Sequence, residues 1–247
     1  MSAVAVLLIA IGIADACRRL THTRWIPPAT APVVVVTCAA LSGLWHLGDI
    51  ALLVVAAAAA ASWEWLCMRA ERTGKHQGAP LVVFGAAIGV LIMLSGWGSP
   101  VTGVVERWSN WAGLPGLDSV DPTRLLTVIG VVLLQLVTGN QLVRLVLSSV
   151  GAVKPAGQPQ PSDRLKGGRL LGPLERLLIL GLGLGGQLAA ASAVIAAKSI
   201  IRFPELSAQR ARENGDVGID EVTEYFLVGS LASWLVALSG VGMVLIQ

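Results

Sequence analysis

Charged side chains border one long apolar stretch of this chain, residues 170–197, and a glutamine interrupts it. Arginine and lysine bind phosphate groups, and a glutamate beside them can donate or accept a proton. The same pattern is typical of ion pairs at a membrane surface, where a lysine can reach the outer headgroups. The candidate functional residues are Arg169, Glu175, Arg176, Gln187, Lys198 and Arg202.

Two of these residues allow two interpretations each. Glu175 either forms an ion pair with Arg169 or Arg176, or it acts as an acid or base. Gln187 needs a partner, because an amide without one is costly in hydrocarbon. That partner is either a side chain of a neighbouring helix or a bound ligand, and both interpretations stay open here.

A polar stripe runs along residues 123–147. Its members fall within about 120° of a helical wheel. Such a stripe can line an aqueous path, but hydrogen bonding between helices is the favoured interpretation. The stripe consists of Thr127, Gln135, Thr138 and Gln141.

The remaining polar residues in apolar stretches lie near the ends of these stretches. We expect Asp15, His46 and Asp49 to be solvated, because charge costs much less there than at mid-bilayer. Glu64 is expected to pair with Arg69 or another basic residue. The three cysteines lack a CxxC spacing and the three histidines lie far apart, so the sequence predicts no disulfide framework, metal site or cofactor.

Composition sets the class of protein. Of 247 residues, 54% are hydrophobic and 13% are charged, and the mean hydropathy is +0.72; an average soluble domain has about 25% charged residues. The net charge of +3 is too small for a nucleic-acid binder. We therefore predict a polytopic membrane protein whose partners are the lipid bilayer and, in addition, a second copy or another membrane or cytoplasmic protein.

The apolar stretches predict an all-α transmembrane bundle of about seven spans. Residues 31–68 form one run too long for a single crossing, so it must fold back at 46–49. Residues 99–122 are expected to form an outer interfacial loop with a short helix at Trp108 and Trp111. Six spans result if residues 170–197 do not cross fully. The predicted spans are 2–17, 31–46, 50–68, 79–98, 123–147, 170–197 and 225–246.

The distribution of basic residues predicts the orientation. With the N-terminus outside and the C-terminus cytoplasmic, twelve basic residues lie inside and six outside. A cleaved signal peptide is disfavoured for residues 2–17, because Arg18 and Arg19 follow the apolar stretch rather than precede it. The location is the inner (cytoplasmic) membrane. The expected regions are 1–150 with five spans, a cytoplasmic proline-rich basic loop at 151–169, and a two-span region at 170–247 with a polar segment at 198–224.

Small residues recur every four positions in the last two predicted spans. Such ridges let helices approach closely where lipid supplies no hydrophobic driving force. We therefore expect these two spans to pack tightly. The ridges comprise Gly181, Gly185, Ala189 and Ala193 in one span, and Gly229 and Ser233 in the other.

Several motifs recur in order near the C-terminus: GGRLLGPLERLLIL (167–180), GQ (186–187), AAKSIIRFPEL (196–206) and EYFLVGSLASWLVAL (224–238). Together they resemble the C-terminal part of a bacterial membrane family catalogued as domain of unknown function 3307. The resemblance covers residues 167–238 and implies no particular activity. It directs attention to Gly168, Arg169, Gly172, Glu175, Arg176, Gln187, Lys198, Arg202 and Phe203.

Three functions fit this sequence. The favoured pair is an accessory or structural membrane subunit and a small transporter-like protein. The alternative is an enzyme at the membrane interface that acts on a phosphorylated lipid-like or isoprenoid substrate. It ranks last because the sequence offers no paired carboxylates of the DDxxD type and no Ser–His or Cys–His set.

Overall fold

The computed structural model describes residues 1–21, 26–112, 120–153, 168–198, 200 and 218–247, without the side chains of 168–170 and 218–222. Every regular element in these ranges is helical. The helices are α1 (Ser2–Leu20), α2 (Ile26–Ser42), α3 (Leu47–Thr73), α4 (Gly78–Met93), α5 (Gly103–Trp111), α6 (Pro122–Leu133), α7 (Gly139–Ser149), α8 (Gly168–Leu184), α9 (Leu188–Lys198) and α10 (Gly218–Leu245).

Three of the described helices are long and apolar enough to cross a membrane. They are α3, the continuous helix Pro122–Ser149 and the part of α10 over Thr223–Leu245. The second consists of α6 and α7 joined by a π-helical turn, Leu134–Thr138. The chain is thus an all-helical membrane protein, as predicted.

The chain forms two compact units. Unit 1 comprises Met1–Thr138 and Ile246–Gln247, and unit 2 comprises Gly139–Leu245. The division falls inside the long helix rather than at the proline-rich loop, because the helix changes packing partners along its length.

Helix α1 is the central helix of unit 1. Almost every residue from Ser2 to Asp15 is buried, and α1 packs against α2, α3, α4 and α6. A helix that is apolar all round is stable only when it is surrounded. Removing residues 2–17 as a signal peptide would therefore remove the core of unit 1.

The predicted fold-back between the second and third spans is confirmed, although it lies slightly earlier. Helix α2 ends at Ser42 and α3 begins at Leu47. The difference arises because His46 and Asp49 start α3 instead of forming the turn: the Asp49 carboxylate accepts a hydrogen bond from the His46 backbone N–H at 3.2 Å. The expected short helix near Trp108 is also confirmed, as α5.

The predicted sixth span is not one continuous helix. Helix α8 ends at Leu184, Gly186 has a left-handed backbone (φ +74°), and α9 begins at Leu188. The Gln187 N–H donates to the Leu182 carbonyl at 2.8 Å, which closes the end of α8. The chain then folds back, so α8 and α9 form a helical hairpin.

The hairpin packs on itself and on α10. Its core contains Ile179 from α8, Ala191 from α9 and Ala237 from α10, with Trp234 against them. Helix α10 runs antiparallel to α7: Gly229 lies opposite Leu147, and Ser233 and Asn140 bind the same α8 side chain. The expected packing of the last two apolar segments is therefore present, but in a different geometry.

The prediction that small residues of the sixth apolar segment form one packing ridge is wrong. A methyl group at Gly181 would meet no atom within 4 Å, and Gly185 approaches only carbonyls of its own helix. Ala189 and Ala193 are exposed. The ridge fails because the helix breaks in the middle of it, and Gly183 instead contacts Val241 of α10. On α10, Gly229 is half-buried and Ser233 is buried.

Gly12 tests the close packing of α1. A Cβ at this position would lie 2.9 Å from the Leu133 Cβ, whereas one at Gly89 of α4 would meet nothing. We expect Gly12→Ala to lower the free energy of unfolding by about 1–3 kcal/mol, since overpacking forces neighbours to move. Thermal unfolding in detergent measures this, with Gly89→Ala as the matched control. Equal melting temperatures for the two variants would contradict the central position of α1.

Candidate functional site

A buried ionic group joins α1 to α3 in unit 1; we call it the Asp15 cluster, formed by Asp15, Arg18, Glu64 and Glu71. One Arg18 terminal nitrogen lies 2.5 Å from Asp15 Oδ1, and the other lies 3.3 Å from Glu71 Oε1. Arg18 Nε lies 3.3 Å from Glu64 Oε2. Three carboxylates therefore surround a single guanidinium.

The two inner carboxylates of this cluster are fully enclosed. The side chains of Asp15 and Glu64 are 0% exposed, whereas that of Glu71 is 37% exposed. Trp63, packed on Phe84 of α4, directs its indole N–H to Asp15 Oδ1 at 3.4 Å. Among the described residues, Asp15 Oδ2 and both oxygens of Glu64 accept no hydrogen bond. Burying such acceptors without donors is costly.

The Asp15 cluster corrects one prediction and completes another. Asp15 is buried rather than solvated. Glu64 pairs with a basic residue as expected, and that residue is Arg18, which is distant in sequence; the guanidinium of Arg69 lies over the Trp65 ring. Both residues face inward because α1 is surrounded by the other helices of unit 1.

Unit 2 holds a second ionic site at the base of the hairpin. Lys198 Nζ of α9 lies 2.5 Å from Glu175 Oε2 of α8, and both side chains are nearly buried. In a continuous helix these residues would lie about 35 Å apart. Glu175 thus has a partner, Lys198, that its local spacing does not indicate. The expectation that Lys198 extends to outer headgroups is wrong because the chain folds back.

Arg176 follows Glu175 in the sequence and is also buried. Its hydrogen-bond partners differ from those of the ion pair. Its guanidinium donates to Asn140 Oδ1 at 2.7 Å and to Ser233 Oγ at 3.2 Å. Gly139 permits this approach, because a Cβ there would lie 2.7 Å from Arg176 Nε. Arg176 therefore joins α7, α8 and α10, which sequence spacing alone does not reveal.

The other candidates are distributed as follows. Gln187 is exposed at the tip of the hairpin. The stripe residues Thr127, Gln135, Thr138 and Gln141 are all buried within protein, as expected for helix contacts, with Gln141 in unit 2 and the others in unit 1. The side chain of Arg169 and the whole of Arg202 and Phe203 lie outside the described residues, and Gly168 is the first residue of α8.

Asp49 and His46 form a smaller polar group with Ser99. The Ser99 backbone N–H donates to Asp49 Oδ1 at 2.7 Å, and Ser99 Oγ lies 2.9 Å from His46 Nδ1. The same Nδ1 also faces Asp49 Oδ2. A nucleophilic triad needs the serine and the aspartate on opposite ring nitrogens, so this group caps α3 rather than activating Ser99. Asp49 is buried, contrary to the predicted solvation.

No family model, curated protein or solved structure matches this chain. The resemblance of residues 167–238 to the family of unknown function therefore stays a prediction. Among the described residues there is also no group of three or more metal-binding side chains.

The Glu175–Lys198 pair makes the hairpin testable. We expect Glu175→Gln and Lys198→Gln each to lower thermal stability in detergent, and the double variant to be no less stable than the weaker single variant. The reason is that either change leaves one charge nearly buried without its partner. The expected coupling is about 0.5–3 kcal/mol.

A matched control uses Glu224, an exposed carboxylate of α10. Glu224→Gln combined with Lys198→Gln should give additive effects. Additive effects for Glu175 and Lys198 as well would contradict the hairpin.

Proposed function

We propose that this chain is a small transporter-like protein of the inner membrane, in which α8 and α9 form a re-entrant hairpin. The observation that carries the proposal is the ion pair between Glu175 and Lys198 across the break at Gly186. Helices interrupted within the bilayer are tolerated where they are buried in protein or line a water-filled cavity. In transporters, broken helices hold the substrate site near the midplane.

The dimensions of the hairpin fit this role. With Glu175 and Lys198 at the headgroup boundary, ten residues of helix separate Glu175 from Gly185, about 15 Å. That distance is half of a hydrocarbon core of about 30 Å. Gln187 then lies near the midplane, where an exposed amide requires water or a polar solute. This favours the ligand-contact interpretation of Gln187.

A re-entrant hairpin also changes the proposed topology to six crossings. Gln247 donates to Thr127 Oγ1 at 2.7 Å, and the Val101 N–H donates to Thr123 at 3.1 Å. Ser2 donates to the Ser99 carbonyl. Both chain ends thus lie at the same end of unit 1, which supports an outer C-terminus in place of the cytoplasmic one predicted. In this topology the basic residues that follow α8 lie on the inner side, and only Arg107 and Arg124 lie in outer segments. This distribution agrees better with the positive-inside rule than that of the seven-span arrangement.

The contacts of the basic residues argue against the interfacial-enzyme alternative. That alternative requires Arg169, Arg176, Lys198 or Arg202 to bind phosphate, and the structure describes the side chains of Arg176 and Lys198. Arg176 is buried against Asn140 and Ser233, and Lys198 is neutralised by Glu175. Leucines on one face of α10 are exposed and fit acyl chains or a second copy of the chain, so an accessory subunit remains the competing function.

The sidedness of Ile200 tests the topology. Ile200 is 72% exposed just beyond α9, and Ser149 is exposed at the end of α7. In a background without native cysteines, we expect Ile200→Cys and Ser149→Cys to react with a membrane-impermeant maleimide from the same, cytoplasmic side. Labelling of the two positions from opposite sides would restore the seven-span arrangement and overturn the re-entrant one.

The accessibility of Gln187 separates a transporter from an accessory subunit. We expect Gln187→Cys in proteoliposomes to react with the same reagent, because the hairpin tip faces water. Leu231→Cys is the matched control: Leu231 is 56% exposed on α10 and should face lipid and stay unreactive. If both positions are equally unreactive, the tip contacts lipid or protein, and the transporter proposal fails.

A further inference from the structure

The Asp15 cluster has more buried acceptors than donors. Asp15 Oδ1 is contacted by Arg18 and Trp63, but Asp15 Oδ2 and both Glu64 oxygens have no donor in the described structure. Arg18 Nε approaches Glu64 only as an ion-pair contact. Two fully enclosed carboxyl groups therefore share one guanidinium.

The surroundings of this pair offer little further charge. Cys67, one turn after Glu64, is buried beside it. Helices α2 and α4, which pack on α1 and α3, contain no Asp, Glu, Lys, Arg or His. Arg19 is turned to the Val137 carbonyl, and α6 carries only Arg124, near its start. His22 and Arg24 lie outside the described residues.

We propose that Asp15 and Glu64 hold one exchangeable proton between them, so that the Asp15 cluster is a proton-binding site. The proton comes from water and forms an O–H bond on one carboxyl, which donates it to a free oxygen of the other. The pair then carries a single negative charge, which Arg18 balances. Loss of the proton returns it to water and leaves two adjacent buried negative charges, a state that like-charge repulsion disfavours.

Glu71 connects the site to solvent. It shares the Arg18 guanidinium with the inner pair, and its own side chain is partly exposed. The partly exposed edge of the Asp15 cluster therefore lies at Glu71. A metal cation is the less favourable occupant, because the Arg18 terminal nitrogen already lies against Asp15 Oδ1.

This site lies in unit 1 and is independent of the hairpin in unit 2. The proton site and the proposed transport function therefore fail separately. If Gln187→Cys is unreactive but the experiments below succeed, the chain holds a buried proton without a hairpin pathway.

Infrared difference spectroscopy of the full chain in liposomes tests the proposal. We expect a pH step to change a band of protonated carboxyl groups in the wild-type protein, and Glu64→Gln and Asp15→Asn each to remove that change. Glu106→Gln, an exposed glutamate of α5 outside the Asp15 cluster, is the matched control and should keep it. A band that persists in both inner variants would overturn the proposal.

Carbodiimide labelling of the wild-type protein provides a measurement that needs no variant. An apolar carbodiimide adds to a protonated carboxyl in an apolar environment and leaves a stable acylurea. Peptide mass spectrometry should find the adduct on Asp15 or Glu64, with the yield falling at least several-fold as the pH is raised. Absence of the adduct from both residues across the pH range would contradict the proposal.

Discussion

The rest of unit 1 depends on the burial of α1 between Ser2 and Asp15. A helix enclosed over this length by its neighbours needs a partner from a neighbouring helix for each buried polar side chain near its end. Arg18 binds carboxylates of α3, and Asp15 receives the indole of Trp63. The position of α3 is thereby set by charge as well as by packing.

Buried charged side chains of unit 2 also need partners, but they find them in a different way. Here a glycine-rich break allows the chain to return, so the charge on α8 is met by a residue that follows it in sequence. Arg176 is satisfied by neutral acceptors on two other helices. Both units therefore bury ionic groups at helix junctions, where an ion pair specifies an arrangement more than it adds net stability.

The sequence predicts those features of this structure that depend on segment length or local pattern, and it does not predict those that depend on contacts between residues distant in sequence. The fold-back before α3 follows from length alone, since residues 31–68 exceed one crossing. The break between α8 and α9 does not, because the 28 residues of 170–197 are also long enough to span; the available signal was Gly186 followed by a polar Gln187. The partners of Glu64 and Glu175 are set by tertiary contacts, so local spacing does not indicate them. Trp63 is likewise placed by a tertiary contact, buried as a donor to Asp15.

The return of α9 to Glu175 has a consequence for biogenesis. During synthesis, α8 leaves the ribosome with an unbalanced carboxylate, and its partner is added only 23 residues later. Helix α8 is therefore a poor substrate for insertion by itself, and α9 is too short to insert alone. In the proposed re-entrant arrangement, the two helices enter the bilayer as one element after Lys198 has been translated, which makes this hairpin a late step in the maturation of unit 2.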